Sequence, residues 1–322
     1  MPYAVRIHRH GGPEVLRWEE VELRAPGPGE LQVRQSAIGV NFIDIYERTG
    51  LYKQALPAVL GHEAAGVVTA LGPKVKGFAI GDRVAYALNH SGAYAEERIL
   101  AADRAVKIPD DVSDQIAAAV MLKGLTAVVL LRRTYKVKRN DFVLIHAAAG
   151  GVGLLAVQLA KHLGAHVIGV VGSEEKAAVA RDAGADHVVV GIDDLANKVR
   201  QIVSEGVHVV YDSVGNDTFI ASLDCLRPLG MMVTYGNSSG PPPAVAPLEL
   251  SRRGSLYLTR PVLFNYITRR RDLESAAKEL FILIERSNLR VHVGRTYALR
   301  EAAQAHIDLE QRRTVGSSLL LP

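Results

Sequence analysis

Residues 142–176, FVLIHAAAGGVGLLAVQLAKHLGAHVIGVVGSEEK, constrain the fold more than any other stretch of the chain. Phe142 to Ile145 is a short run without a polar residue, as a parallel strand covered on both faces requires. Ala147, Ala148 and Ala149 lead through Gly150, Gly151 and Gly153 into a helical repeat at Leu154, Val157, Gln158 and Lys161, and His166 to Val171 is a second apolar run. Strand, glycine turn, helix and strand at this spacing are the context in which a dinucleotide fingerprint is credible.

The fingerprint has Ala148 where its first glycine normally stands, followed by Gly150 and Gly153. Gly150 would let the main chain approach a pyrophosphate, and Gly153 would let the helix lie close to the sheet. The phosphates would then sit over free N–H groups at the positive end of the helix. Ala148 is expected to complete a slightly wider turn without positive φ. At the end of the second strand an NAD site places an acid on the ribose hydroxyls, whereas this chain reads Val171, Gly172, Ser173. Small residues followed by Lys176 suit a 2′-phosphate, so the expected coenzyme is NADPH. Glu174 and Glu175 then complement the dipole of a helix capped by Ser173, with their carboxylates in solvent.

A chain of 322 residues with 48% hydrophobic content can fill two domain cores. Its net charge of +4 is small and interspersed, which gives little support for a nucleic-acid partner. One cysteine, Cys225, excludes an intrachain disulfide and a cysteine-clustered zinc. The N-terminus lacks a secretory apolar segment, and no stretch reads as long enough to span a membrane, so a cytoplasmic protein is expected.

In chain order, Ala4–His8, Val15–Val21, Leu31–Val40, Glu63–Leu71, Asp82–Ala87 and Gly92–Leu100 read as strands between glycine and proline turns, with a short helix at Phe42–Arg48. This is a mostly antiparallel, barrel-like domain. Ser113 to Leu131 reads as helical with a break near Gly124. Alternating strands and helices follow the glycine turn up to Leu256–Thr259, the pattern of a doubly wound parallel sheet. Ser213-Val214-Gly215 and Gly236 to Gly240 follow two strand ends, where such sheets bind ligands. Helices near Leu273–Arg286 and Glu301–Arg312, with extended segments Val293–Tyr297 and Ser317–Leu321, are too little for a core of their own. They are expected to return to the first domain, giving a catalytic domain of residues 1–125 and 265–322 around a coenzyme domain of residues 126–264.

Asn41-Phe42-Ile43-Asp44, Gly61 to Gly66 (GHEAAG), Gly81-Asp82-Arg83-Val84, the turn at Ala148–Gly153 and Tyr211 to Gly215 together resemble the medium-chain dehydrogenase/reductase superfamily, and within it the zinc-independent, zeta-crystallin-like NADPH:quinone oxidoreductases. The resemblance covers essentially the whole chain. It implies an α/β architecture, a Rossmann-type parallel sheet domain plus a GroES-like catalytic domain, and a homodimer joined through the coenzyme domains by edge strands near Ser255–Thr259. It implies Asn41, Asp44, Tyr46 and Tyr52 around substrate or nicotinamide, with Thr126 as a further contact. For the coenzyme it implies Ala149, Gly150, Gly151, Val152, Gly153, Ser173, Lys176, Asn237, Ser238 and Arg312. Relatives place a tyrosine near the adenine ribose where this chain has Val190-Gly191-Ile192.

The zinc-dependent relatives use two cysteines and a histidine. Here Asn41 occupies the first thiolate's position while His62 and Glu63 remain, so no metal is expected. His62 then reads as a buried structural residue, with Glu63 or Asp44 paired to a cation. Quinones suit such a site because their reduction yields a stabilised phenolate without a Lewis acid. Asn41 and Tyr52 are the expected donors to the developing oxyanion. Asp44, as an ordinary carboxylate, is expected to orient the ribose or another side chain rather than to act as an acid. Reduction of the double bond of an α,β-unsaturated carbonyl is the alternative chemistry, and an NADPH-regulated nucleic-acid-binding or structural protein the alternative class, the latter resting on Arg132-Arg133, Arg252-Arg253 and Arg269-Arg270-Arg271.

Overall fold

The computed structural model describes residues 1–286 and 288–322. Two compact units are present, one of Met1–Lys123, Ile267–Glu285 and Val291–Pro322, the other of Gly124–Tyr266 and Arg286–Arg290.

The first unit opens with β1 (Tyr3–Ile7), β2 (Arg17–Glu20), β3 (Glu30–Val40), α1 (Phe42–Thr49), β4 (Ala58–Val59), β5 (Glu63–Leu71), β6 (Arg83–Ala87), β7 (Glu97–Ala101) and β8 (Ala105–Lys107). The strand expected from Val15 begins only at Arg17, because Pro13, with its fixed φ, opens a 3₁₀ turn. That expected from Gly92 begins at Glu97. Before it, the chain turns so that Tyr94 bonds through its backbone to Leu60 and Val5 and buries its ring completely.

The helix α2 (Asp114–Val129) runs through Gly124 without the expected break and continues as a wider π turn over Leu130–Thr134. One glycine costs a helix about 1 kcal/mol, and the buried residues flanking it, Met121, Leu125 and Val128 among them, outweigh that. Contrary to the reading of composition, Asp114–Thr134 is by length and hydropathy sufficient to cross a membrane. With 72% of its apolar window buried in the fold, it has the character of a core helix.

The second unit continues with β9 (Phe142–His146), α3 (Gly151–His162), β10 (His166–Val171), α4 (Glu174–Asp182), β11 (His187–Val190), α5 (Leu195–Ile202), β12 (Val207–Asp212), α6 (Phe219–Asp224), β13 (Leu226–Thr234), α7 (Pro247–Arg252), β14 (Tyr257–Thr259) and α8 (Leu263–Tyr266). All strand pairs are parallel, in the order β11-β10-β9-β12-β13-β14. This is the doubly wound order whose switch point lies between the first and fourth strands, here β9 and β12. Ile168, Val210, Phe219 and Met232 fill one face of the sheet. Cys225 is buried beside them, and burial pushes its thiol up to about 12.

The chain then returns to the first unit as α9 (Arg270–Glu285), β15 (Val293–Ala298), α10 (Ala302–Glu310) and β16 (Ser317–Leu321). The strand β16 runs parallel to β15 and antiparallel to β3, pairing Ser318 with Val40, within a sheet ordered β15-β16-β3-β5-β6-β8. Leu31, Ile38, Leu60, Tyr86 and Leu320 lie in its core with no exposed surface.

Candidate active site

In the second unit the turn after β9 has the geometry of an anion cradle. The left-handed residue is Ala147, at φ +49°, not a glycine, while Ala148 stays out of that region as expected. An L-residue pays about 1–2 kcal/mol for this conformation, and the backbone bond from Gly150 N–H to the Ala147 carbonyl at 2.8 Å closes the turn around it. Gly153 is required by close approach, since a Cβ there would collide with the Ala147 carbonyl oxygen. The first N–H groups of α3, those of Gly151, Val152 and Gly153, lack intrahelical acceptors, so the turn and the helix dipole fit a pyrophosphate.

The end of β10 is open. Gly172 is exposed, its φ is not left-handed, and a side chain there would meet nothing within 4 Å. Ser173 caps α4, its Oγ accepting from Lys176 N–H at 3.4 Å, and Glu174 and Glu175 are exposed as expected. The absence of an acid at the strand end, the open space and the half-buried Lys176 suit a ribose 2′-phosphate.

The loops after β12 and β13 pack on each other. Ser239 N–H donates to Val214 O at 2.8 Å and Asn216 N–H to Gly240 O at 3.1 Å. Asp212, fully buried, shapes the first loop: Oδ1 accepts from Val214 N–H at 2.7 Å and Gly215 N–H at 3.2 Å, and Oδ2 from Thr218 Oγ1 at 2.7 Å. In the second loop Asn237 Oδ1 accepts from Arg260 at 3.1 Å, and Ser238 follows. Ala149 to Gly153, Ser173, Lys176, Asn237 and Ser238 therefore gather at the carboxyl ends of adjoining strands. Thr126 lies half-buried on α2.

In the first unit the remaining positions lie on α1 and the loop after it, apart from Arg312, which is exposed just beyond α10 at φ +57°. Asn41 precedes α1 and is nearly buried. Its Nδ2 donates to Glu63 Oε1 at 2.9 Å and to Gly39 O at 3.3 Å. Both amide hydrogens are thus engaged inside the protein. The Tyr46 and Tyr52 rings meet edge to face at 5.3 Å, and Tyr52, unlike Tyr46, is 38% exposed.

Asp44 departs from an ordinary carboxylate. It has no exposed surface, and burial pushes its carboxyl up to about 7 despite the nearby His62 and the bonds from Asn41 N–H at 2.8 Å and Tyr94 Oη at 2.9 Å. It holds the Tyr94 hydroxyl. A directional chain runs behind it. Arg48 can only donate, so His306 Nδ1 accepts from Nη1 at 3.1 Å. The ring proton then lies on Nε2 and is donated to Tyr94 at 3.0 Å, whose own O–H goes to Asp44. Burial and the Arg48 charge push His306 down to about 3. Arg48 is anchored by Glu310 at 2.6 Å.

The residues retained from a zinc site are likewise engaged. His62 meets Leu88 O through Nδ1 at 2.7 Å and Glu47 Oε1 through Nε2 at 2.9 Å. Burial disfavours its charge, but the Glu47 bond and the Asp44 and Glu47 charges outweigh that and raise its pKa. Glu63 accepts from Lys123 Nζ at 2.6 Å, Leu122 N–H at 2.6 Å and Asn41, so the expected cation partner is Lys123. Among the described residues no group of three or more His, Cys, Asp and Glu is placed to hold a metal ion. Sequence reasoning missed Arg48, Tyr94, Lys123 and His306. Only the Asp44–Arg48 spacing on one helix carried a local signal.

Residues 27–110 match the model of the alcohol dehydrogenase GroES-like domain and residues 151–280 that of the zinc-binding dehydrogenases, which together define a medium-chain dehydrogenase/reductase. The chain is 50% identical to a quinone oxidoreductase of Salmonella typhimurium, with all of both chains covered, and 46% identical to a 2-haloacrylate reductase of a Burkholderia species, covering 100% of this chain and 99% of that one. The crystal structure of Escherichia coli quinone oxidoreductase complexed with NADPH superposes with a TM-score of 0.97 at 48% identity, covering 99% of this chain and 100% of the other. The chain belongs to the quinone oxidoreductase branch of that superfamily.

Proposed function

We propose that the chain reduces quinones with NADPH by direct hydride transfer, without a metal. The observation that carries this reading is the open, acid-free end of β10 beside the cradle of Ala147–Gly153, joined to the kinship with the E. coli enzyme complexed with NADPH. When bound, NADPH supplies a hydride to the quinone, and one proton from solvent completes the quinol. In this reading Ala149, Gly150, Gly151, Val152 and Gly153 hold the pyrophosphate, Ser173 and Lys176 the 2′-phosphate, Asn237 and Ser238 the remaining coenzyme edge, and Arg312 adds a cation. Tyr52 donates to the developing phenolate, while Asn41, held by Glu63 and Asp44, fixes the start of α1. Tyr46 on α1 and Thr126 on α2 are the further residues assigned to substrate or nicotinamide.

Reduction of an activated carbon–carbon double bond is the second reading, favoured by the kinship with the 2-haloacrylate reductase. Both are tested by coenzyme oxidation in chelated buffer with NADPH or NADH and with a small quinone or an enone. Quinol as product supports the first reading, and a saturated carbonyl as the sole product moves the assignment to the second. No oxidation with either substrate overturns both.

The proposal includes a homodimer through the edge strand β14, where Tyr257, Leu258 and Val262 are exposed. Nucleic acid is left out because Arg252 and Arg253 pair with Glu249, Arg269 with Asp272 and Arg270 with Glu274, as solvated ion pairs do. A reducing cytoplasm suits a chain whose only cysteine is buried and unpaired.

A further inference from the structure

A cavity of about 810 Å³ opens in the first unit, lined by the turn at residues 74–78, the end of β8 and the helix α9. None of its lining residues belongs to the candidate active site. Its floor is apolar, with Val106, Phe281 and Ile282. Phe78 also lines it, with two cations on its ring, Lys107 Nζ at 5.8 Å and the Arg270 guanidinium at 5.9 Å from the centroid. Those two are compensated, Lys107 by Asp82 at 2.8 Å and Arg270 by Glu274 at 2.7 Å and the carbonyl groups of Ala102, Asp103 and Ala105.

The other cations are not. Lys74, Lys76 and Lys278 line the same cavity, are exposed, and pair with no acid among the described residues. Of the three lining acids, Asp103 is held by Arg104 and Glu274 by Arg270, which leaves Glu285 alone against three lysines. Lys74 is also held at φ +66°, a conformation that an L-residue keeps only where its surroundings enforce it. A cavity of ligand size with apolar lining and uncompensated lysines is complementary to an anion that carries an apolar body.

We infer that this cavity binds a small soluble organic anion, a phosphate or sulfonate head on an aromatic body, with the body against the apolar lining beside Phe78 and the head between Lys76 and Lys278. The site is independent of the proposed hydride transfer, so neither reading depends on the other.

The test is calorimetric titration of the full chain, saturated with NADP⁺, using 1-naphthyl phosphate as the probe. Wild type is expected to take up one molecule per chain at this site. The exposed double variant Lys76→Glu/Lys278→Glu, which leaves the core untouched, is expected to bind it at least about tenfold more weakly. Phe78→Ala is expected to weaken it as well, whereas inorganic phosphate binds much less tightly than the aryl phosphate. Unchanged affinity in the lysine variant, or no saturable binding by wild type, overturns the site. Equal affinity for inorganic phosphate overturns the role of the apolar floor. Binding to phosphatidic acid vesicles without binding of the soluble probe overturns the ligand class in favour of a lipid surface.

Discussion

The hydroxyl of Tyr94 donates to Oδ2 of Asp44 at 2.9 Å and receives the His306 Nε2 proton at 3.0 Å. One phenol thus joins an acid whose pKa burial raises to about 7 to an imidazole whose pKa burial and Arg48 lower to about 3. The two act on stability with opposite signs. The folded chain keeps the Asp44 proton that the unfolded chain releases, so this contribution falls as pH rises from about 4 to about 7. The unfolded chain protonates His306 while the folded chain does not, so that contribution rises between about pH 3 and 6.5. Asp44→Asn removes the first and leaves the His306 contribution in place. Its stability relative to wild type, measured by urea unfolding, is expected to grow as pH rises from about 4 to about 7 and to level off above. A difference independent of pH across that window would refute the assignment.

Glu63 neutralises Lys123 in the interior while receiving Asn41. Glu63→Gln keeps the shape but strands the buried ammonium, and a loss of about 3–5 kcal/mol in denaturant unfolding is expected. Gly39 faces Glu63 across the strand pair, and a Cβ there would collide with the carboxylate. Gly39→Ala is therefore expected to cost about 1–3 kcal/mol. Wild-type stability in either variant would mean that the Asn41–Glu63–Lys123 cluster holds nothing together.

Gly172 has room for a side chain in a permitted backbone conformation. Gly172→Asp is expected to fold normally and to lower kcat/KM with NADPH by about a hundredfold, because the new carboxylate faces the 2′-phosphate. Turnover with NADH is expected to rise. Steady-state kinetics with both coenzymes decide the point, and an unaltered NADPH preference would move the phosphate elsewhere.

The Tyr52 hydroxyl is the proposed donor on an exposed ring held edge to face by Tyr46. Tyr52→Phe is expected to lower kcat with a quinone by about a hundredfold, with the KM for NADPH unchanged. Full activity would leave the phenolate to solvent.

At the sheet edge, Tyr257 is 58% exposed on the short strand β14. Tyr257→Asp is expected to shift a dimer to monomers in sedimentation velocity. A wild-type chain that sediments as a monomer defeats the edge-strand dimer outright.

The coenzyme unit was legible because its evidence is local. Apolar strands, the turn at Gly150–Gly153 and small residues at a strand end lie within 35 positions, each with its own periodicity. The left-handed conformation of Ala147, beside an Ala148 that turns without positive φ as expected, was not legible, because it depends on how closely α3 packs on that turn. The interior of the first unit was not legible in this way. Arg48 and His306 are 258 positions apart, and nothing in their flanking residues marks them as partners. In sequence Asn41 reads as a donor facing substrate. The partners that its amide has inside the protein, Glu63 and Gly39, become visible only in the fold.

Strand β3, which ends at the residue before Asn41, is flanked on one side by β5 and on the other by β16, so Val40 is paired with Ser318. The scaffold under the proposed substrate residues is therefore stitched from opposite ends of the polypeptide, while the parallel sheet is assembled wholly from the intervening segment. During synthesis the coenzyme unit has all its strands available before the first unit can close its own sheet. The parallel sheet can therefore form before the strand that completes the first unit's sheet has been made.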